Sequence, residues 1–169
     1  VLLNKPLGCV TALRDARHPT AYALLRGAPQ WQTLRPVGRL DLDTSGLLVW
    51  TNDGQEIQRL THPKRAVPRT YHAALARPFR AAPSDLTLRD GEQPTILSLA
   101  ELSREAAHPS LAVPKEAALL ATITLGSGAY HEVRRIFAAL GSHVLGLCRV
   151  AFGPYVLPRD LPPGAYRPC

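Results

Sequence analysis

Val37 to Gly54 reads VGRLDLDTSGLLVWTNDG. Three charged groups, Arg39, Asp41 and Asp43, stand among apolar residues just before the run Leu47-Leu48-Val49-Trp50. That run predicts a strand over Leu47 to Thr51, and Asn52-Asp53-Gly54 is a turn signal that closes it abruptly. Charges set in this way are costly to bury unless they are paired or put to use. Asp41 is therefore expected on a loop framed by rigid elements, where reactive groups are often held.

Working outward, Leu34 to Leu40 reads as the strand before that loop, and Val1 to Asn4 as a short strand stopped by Lys5-Pro6. A short helix is expected over Ala21 to Arg26 after Pro19-Thr20, and one of about two turns over Gln55 to Leu60, ended by His62-Pro63. Arg69 to Ala76, Ala117 to Leu125 and Val144 to Phe152 read as strands. Ala81 to Lys115 has weak periodicity and reads as short strands with a surface excursion. Val133, Ile136, Phe137 and Leu140 recur at helical spacing, which predicts a helix over Tyr130 to Leu140 capped by Gly141, with Arg134 at or beyond the edge of the apolar stripe. Pro158 to Pro168 is a Pro-rich tail, and no internal repeat is present.

The chain has 169 residues, 46% of them hydrophobic, enough for one core in a single domain or two joined lobes. It contains no Met and opens on Val1-Leu2-Leu3, so a segment before Val1 is expected. That run breaks at Asn4-Lys5-Pro6, too short for a signal peptide or a membrane span, and a cytoplasmic protein is expected. The formal charge is +7, and every basic residue except Lys5, Lys64 and Lys115 is Arg, whose planar fork suits phosphate and stacks on bases. Charge alone leaves RNA binding and mere compositional bias equally open. Cys9, Cys148 and Cys169 are far apart and odd in number, which argues against a disulfide framework or a zinc site. Neither GxxxxGK nor GxGxxG occurs, so P-loop and dinucleotide readings lack support.

Taken in order, Asn4-Lys5-Pro6, GRLDLDTSGLL, TNDG, Tyr71, YHEVRR and the ending PGAYRP resemble the catalytic signature of the pseudouridine synthases. The similarity is greatest to the RsuA/RluB/RluE/RluF branch, which modifies ribosomal RNA, and it runs from Leu3 to Pro168. It implies an α+β fold: a long, curved, mixed but mostly antiparallel sheet flanked by helices, with a basic cleft that receives a flipped uridine. The implied reaction breaks the C1′–N1 bond, turns the uracil and rejoins it through C5, with no cofactor and no metal.

The resemblance puts the catalytic carboxylate on Asp41; attack on C1′, attack on C6 and removal of the 2′ proton remain open routes. A carboxylate in a water-poor pocket needs an opposite charge nearby to stay ionised. The basic residue of the family's HQ(V/I)(R/K) motif falls on Arg134, so an Asp41–Arg134 pair is expected. Tyr71 is expected against the face of the uracil, where stacking contributes about 1–3 kcal/mol. Asp43, Thr44 and Gly46 read as residues that structure the loop. Arg39 is expected to pair with a carboxylate or with phosphate. Lys5, Arg135, Tyr130 and His131 complete the expected RNA-contacting set, His131 also capping or orienting the last helix.

Two departures matter. Glu132 stands where Gln is usual, adding negative charge near Arg134, and the small N-terminal RNA-binding domain of most members is not among these residues. The expected partner is ribosomal RNA or a partly assembled ribosomal subunit, with the protein a monomer. Asp15-Ala16-Arg17-His18-Pro19-Thr20, Ala138 to Val144 and the PGAYRP ending favour the small subunit; large-subunit members share most motifs. Two rival readings compete with this one. A glycoside hydrolase would use Asp41 and Asp43 as its carboxyl pair, but no Trp platform for a sugar is evident and positive charge does not help with a neutral glycan. A binding-only ribosomal module would share the charge but has no need of Asp41, Tyr71 and Arg134 together.

Overall fold

The computed structural model describes residues 1–169. Nine strands form one sheet: β1 (Leu2–Lys5), β2 (Arg35–Pro36), β3 (Ser45–Thr51), β4 (Arg69–Leu75), β5 (Ile96–Leu102), β6 (Leu119–Leu125), β7 (Val144–Phe152), β8 (Tyr155–Val156) and β9 (Tyr166–Arg167). Their order is β5-β6-β4-β7-β3-β1-β9, with β2 beside β3 and β8 beside β7. Two α-helices, α1 (Gly54–Thr61) and α2 (Glu132–Ala139), and three short 3-10 turns complete the chain. The α+β class and the mixed, mostly antiparallel sheet match the expectation.

All strand pairs are antiparallel except β3 with β7, which run parallel and touch only where Ser45 faces Cys148 and Gly46 faces Arg149. This short seam joins the two halves of the sheet. Gly46 makes it possible: φ is +104°, and a Cβ there would sit 2.8 Å from the Arg149 amide nitrogen and from Cys148 Sγ. Alternation then sorts the apolar side chains onto two faces. Leu48 and Trp50 of β3 pack with Leu3, Leu25 and Leu34, whereas Leu47 and Val49 pack with Leu60, Val150 and Leu157. Ala73, Leu75, Ile123 and Leu147 receive Val133, Ile136, Phe137 and Leu140, the stripe read from the sequence of α2.

Local chemistry sets the element ends. Asp53 caps α1, its carboxylate accepting from the Gln55 amide at 2.8 Å, and Thr20 caps the first 3-10 turn, Ala21–Leu25, where a short helix was expected. The strand expected over Leu34 to Leu40 is cut to Arg35–Pro36, because Gly38 at φ +74° turns the chain out of the sheet. The last helix starts at Glu132 rather than Tyr130, because His131 takes a left-handed conformation, φ 50°, at its N-cap. Within Ala81 to Lys115 only β5 is regular.

The segment after β5 crosses back over the sheet and is pinned there. Ser45 Oγ donates to Ser110 O at 2.9 Å, and Asn4 Nδ2 to Ser110 Oγ at 2.7 Å. The His108 amide donates to His72 Nδ1 at 3.0 Å, and the Ser110 amide to His108 Nδ1 at 3.1 Å. Both imidazoles thus act as acceptors, which requires them neutral. Burial pushes His72 down from 6.5 to about 4, with His108 and Arg159 pushing the same way.

Two outcomes follow. An unfolded histidine takes its proton near 6.5 while folded His72 does so only near 4, so the unfolded state binds more protons in that window and stability falls as pH drops through it. Urea unfolding should show about 1–2 kcal/mol lost to this group between pH 7 and pH 4.5, and His72→Gln, which keeps an acceptor, should flatten the slope by that amount. Gly46→Ala should cost about 3 kcal/mol or more, since strain at positive φ adds to a clash with backbone; a midpoint close to the wild type would show that the seam can open without penalty.

Candidate active site

The loop from Val37 to Thr44 enters the sheet at Ser45, and its path is held from beneath by Lys5. The Lys5 ammonium is fully buried and donates to Asp41 O at 2.9 Å, Thr44 O at 2.8 Å and Pro6 O at 3.1 Å, using all three of its donors. Burial lowers its pKa, while the nearby Cys9, Asp41 and Asp43 oppose that shift. The expectation that Lys5 contacts RNA is therefore corrected: a side chain with no exposed surface and three backbone carbonyls to satisfy organises the turn that carries Asp41. The Thr44 amide closes that turn on Asp41 O at 3.1 Å, whereas the Thr44 hydroxyl is buried without a partner.

Asp41 opens onto a cleft of about 410 Å³. Tyr71 of β4 and Arg149 of β7 stand on its floor as cross-strand neighbours, with Leu125, Leu147 and Phe152 beside them, while Arg39, His131 and Arg134 line it from the loop and from α2. The volume lies within the range of pockets that hold small ligands, and the lining combines an apolar floor with a few convergent polar groups.

The carboxylate pairing differs from expectation. Arg134 reaches Asp43, with Nη2 3.1 Å from both Oδ2 and the main-chain oxygen, and not Asp41. Asp41 Oδ2 instead faces His131 Nε2 at 3.4 Å. The reason is geometric. The left-handed turn at His131 projects its ring over the loop, one helical step before Arg134, and Asp43 lies outermost with its side chain 66% exposed. Asp43 thus ties the loop to α2. His131 is held flat against Tyr130, ring centroids 3.8 Å apart, and Tyr130 is the most exposed aromatic of the site.

Arg135 is placed away from the cleft. Its guanidinium holds Asp90 at 2.5 Å and Glu92 at 2.7 Å, and its Nε donates to Tyr130 O. The hydrogen bond to Glu92 is the main cause of its raised pKa. In the structure Arg135 braces α2 against the loop at residues 88 to 92. Glu132, read as added negative charge near Arg134, turns inward: Ser127 Oγ donates to it at 2.5 Å and the Ala129 amide at 3.0 Å, fixing the glycine-rich entry to α2. Arg39 is exposed at the rim and makes no ion pair.

Arg69 and Arg149 were missed by the sequence reading. Each places its guanidinium carbon 4.8 Å from the centre of the Phe152 ring, and both line the cleft. Arg149 left a signal, since it is the one charge within the otherwise apolar strand Val144–Phe152. No group of His, Cys, Asp and Glu is arranged to hold a metal ion, and the three cysteines are free, Cys9 and Cys148 buried.

Comparison with known proteins agrees with this geometry. The RNA pseudouridylate synthase family matches residues 1–139. The ribosomal small subunit pseudouridine synthase A of Haemophilus influenzae is 37% identical over 172 residues, covering 99% of this chain and 68% of the relative. The proteins of that name from Escherichia coli K12 and Vibrio cholerae are 36% and 39% identical over the same share of each chain. A crystal structure of a pseudouridylate synthase superposes with a TM-score of 0.77 at 34% identity, covering 99% of this chain and 68% of that one. An H/ACA ribonucleoprotein bound to a substrate RNA superposes at 0.56 with 19% identity, over 92% of this chain and 48% of that one, a likeness of fold alone. A sheet of this topology and a profile that spans most of the chain carry one conclusion: this protein belongs to the RNA pseudouridylate synthase family.

Proposed function

We propose that this chain isomerises a uridine of small-subunit ribosomal RNA to pseudouridine, with Asp41 as its catalytic carboxylate. The observation that carries the reading is the 36–39% identity to small-subunit pseudouridine synthases across 99% of the chain. The cleft supplies the chemistry. Target uridine leaves its stack, at a cost of a few kcal/mol, and its base lies on Tyr71, where stacking returns about 1–3 kcal/mol. Asp41 then faces the ribose side of the nucleotide, steadied through its main chain by Lys5 and through its carboxylate by His131. Attack on C1′, attack on C6 and 2′ proton abstraction all require that position. Arg39, exposed at the rim, is available to the flanking phosphates. The reaction is an isomerisation without net redox change, and this reading needs no cofactor.

Residues 1–169 form the catalytic domain in this reading, with any small RNA-binding domain of the family lying outside them. The same reading holds that it acts in the cytoplasm as a monomer, on rRNA or a partly assembled subunit. No helix is long and apolar enough to cross a membrane.

Carbodiimide modification and primer extension on small- and large-subunit rRNA test this directly. Wild-type protein should create a stop at one small-subunit uridine, Asp41→Asn should abolish it, and RNA affinity should stay within about threefold. A stop on the large subunit would move the target; binding without any stop would favour a module that only binds RNA. Tyr71→Phe should separate the hydroxyl from the ring: it should retain RNA binding and lose turnover only if the hydroxyl meets a proton, whereas Tyr71→Ala should lose about 10- to 100-fold in single-turnover rate as stacking goes.

A further inference from the structure

Arg149 is the least explained charge in the molecule. It is 2% exposed, its Nε donates to Leu47 O at 2.9 Å, and its Nη2 is buried with no hydrogen-bond partner. No carboxylate pairs with it. A buried guanidinium with an idle donor is destabilising unless something else uses it. Arg69 lies beside it over the other contact to Phe152 and is itself tied to Val67 O and Ser127 O. Burial depresses the Arg69 pKa and the neighbouring Arg149 pushes the same way, against Tyr71 and Glu132. The floor of the cleft therefore concentrates positive charge that Glu132, already bonded to Ser127 and the Ala129 amide, offsets only in part.

Its position says what it meets. Arg149 is opposite Tyr71 on β4 and opposite Gly46 on β3, so it stands at the edge of any base stacked on Tyr71. Phosphate is better served at the rim by exposed Arg39, whereas the floor is lined by Leu125, Leu147 and Phe152, surroundings suited to a planar base.

We infer that Arg149 is the uracil-binding donor of this cleft: its Nη2 donates to a carbonyl oxygen of the flipped base and strengthens that bond as the base becomes anionic. When the C1′–N1 bond breaks, its electron pair leaves with N1 and spreads to O2 and O4, where a fixed guanidinium in a low-dielectric floor stabilises it. The turned base gives an electron pair from C5 to C1′, the C5 proton departs and N1 regains one, so atoms and electrons balance and nothing is oxidised. This rests on the synthase reading above.

The test compares wild type, Arg149→Gln and Arg149→Lys in single-turnover pseudouridine formation at saturating rRNA, with RNA affinity measured across salt concentration and thermal unfolding recorded for each. Arg149→Gln should lose about 10²- to 10³-fold in rate, Arg149→Lys a smaller factor, with affinity and its salt slope unchanged. A rate within about threefold of wild type overturns the assignment. A loss confined to affinity, with the salt slope reduced by about 0.7 to 0.9, assigns Arg149 to phosphate and overturns it equally. Should the variants fail to fold, wild-type protein on RNA carrying 2-thiouridine or 4-thiouridine at the target decides: one of the two should be slowed about tenfold or more, and equal rates for both and uridine overturn the inference. Wild-type protein that makes no pseudouridine at all rejects the synthase reading itself, whereas active wild type with an unaffected Arg149→Gln rejects only this step.

Discussion

The close approach of Gly46 to the backbone of Arg149 is the constraint on which the rest depends. Two antiparallel blocks, one built on β3 and β1 and the other on β7, β4 and β6, meet only along this short parallel seam. Any side chain at residue 46 would enter the partner strand. Because the seam is tight, the loop that precedes Ser45 is delivered beside Tyr71 and Arg149, residues of the other block. A cleft assembled from both halves of the sheet is thus a consequence of one backbone contact.

Charge is distributed over that cleft by depth. At the rim Asp43, Arg134 and Arg39 are accessible to solvent, and ion pairs there are weak and serve geometry more than stability. At mid-depth Asp41 meets His131. Lys5 and Arg149 lie deepest, both without carboxylate partners, and they spend their donors differently. Lys5 satisfies the carbonyls of Pro6, Asp41 and Thr44 and is a structural cation; Arg149 satisfies one and leaves a donor free. The same physics, the cost of an unpaired buried charge, separates a loop organiser from a cleft-lining cation with a donor unspent.

Much of the site was legible in the chain because it is local. Asp41 lies within a dozen residues of its supporting strand and turn, and the stripe Val133, Ile136, Phe137 and Leu140 names the buried face of α2 by spacing alone. Pairings across long sequence separations were not legible. Arg134 and Asp43 are joined over 91 residues, and whether Arg134 reached Asp41 or Asp43 turned on the left-handed φ of His131. Lys5 read as an RNA contact because nothing in Asn4-Lys5-Pro6 announces that the turn at Asp41 will close over it. The strand expected before the Asp loop shrank to Arg35–Pro36 because Gly38 used its freedom to leave the sheet.

The sequence by itself determined the fold class and the family, and it set Asp41 on the loop before β3, since motif order, turn residues and apolar periodicity are properties of the chain before it folds. Only the tertiary structure decided the electrostatic roles: that Lys5 is buried, that Arg135 braces a loop, that His131 holds Asp41, and that Arg149 stands unpaired beside Tyr71. Those roles depend on burial and on distance between residues far apart in the chain, and both are set only when the two halves of the sheet close against Gly46.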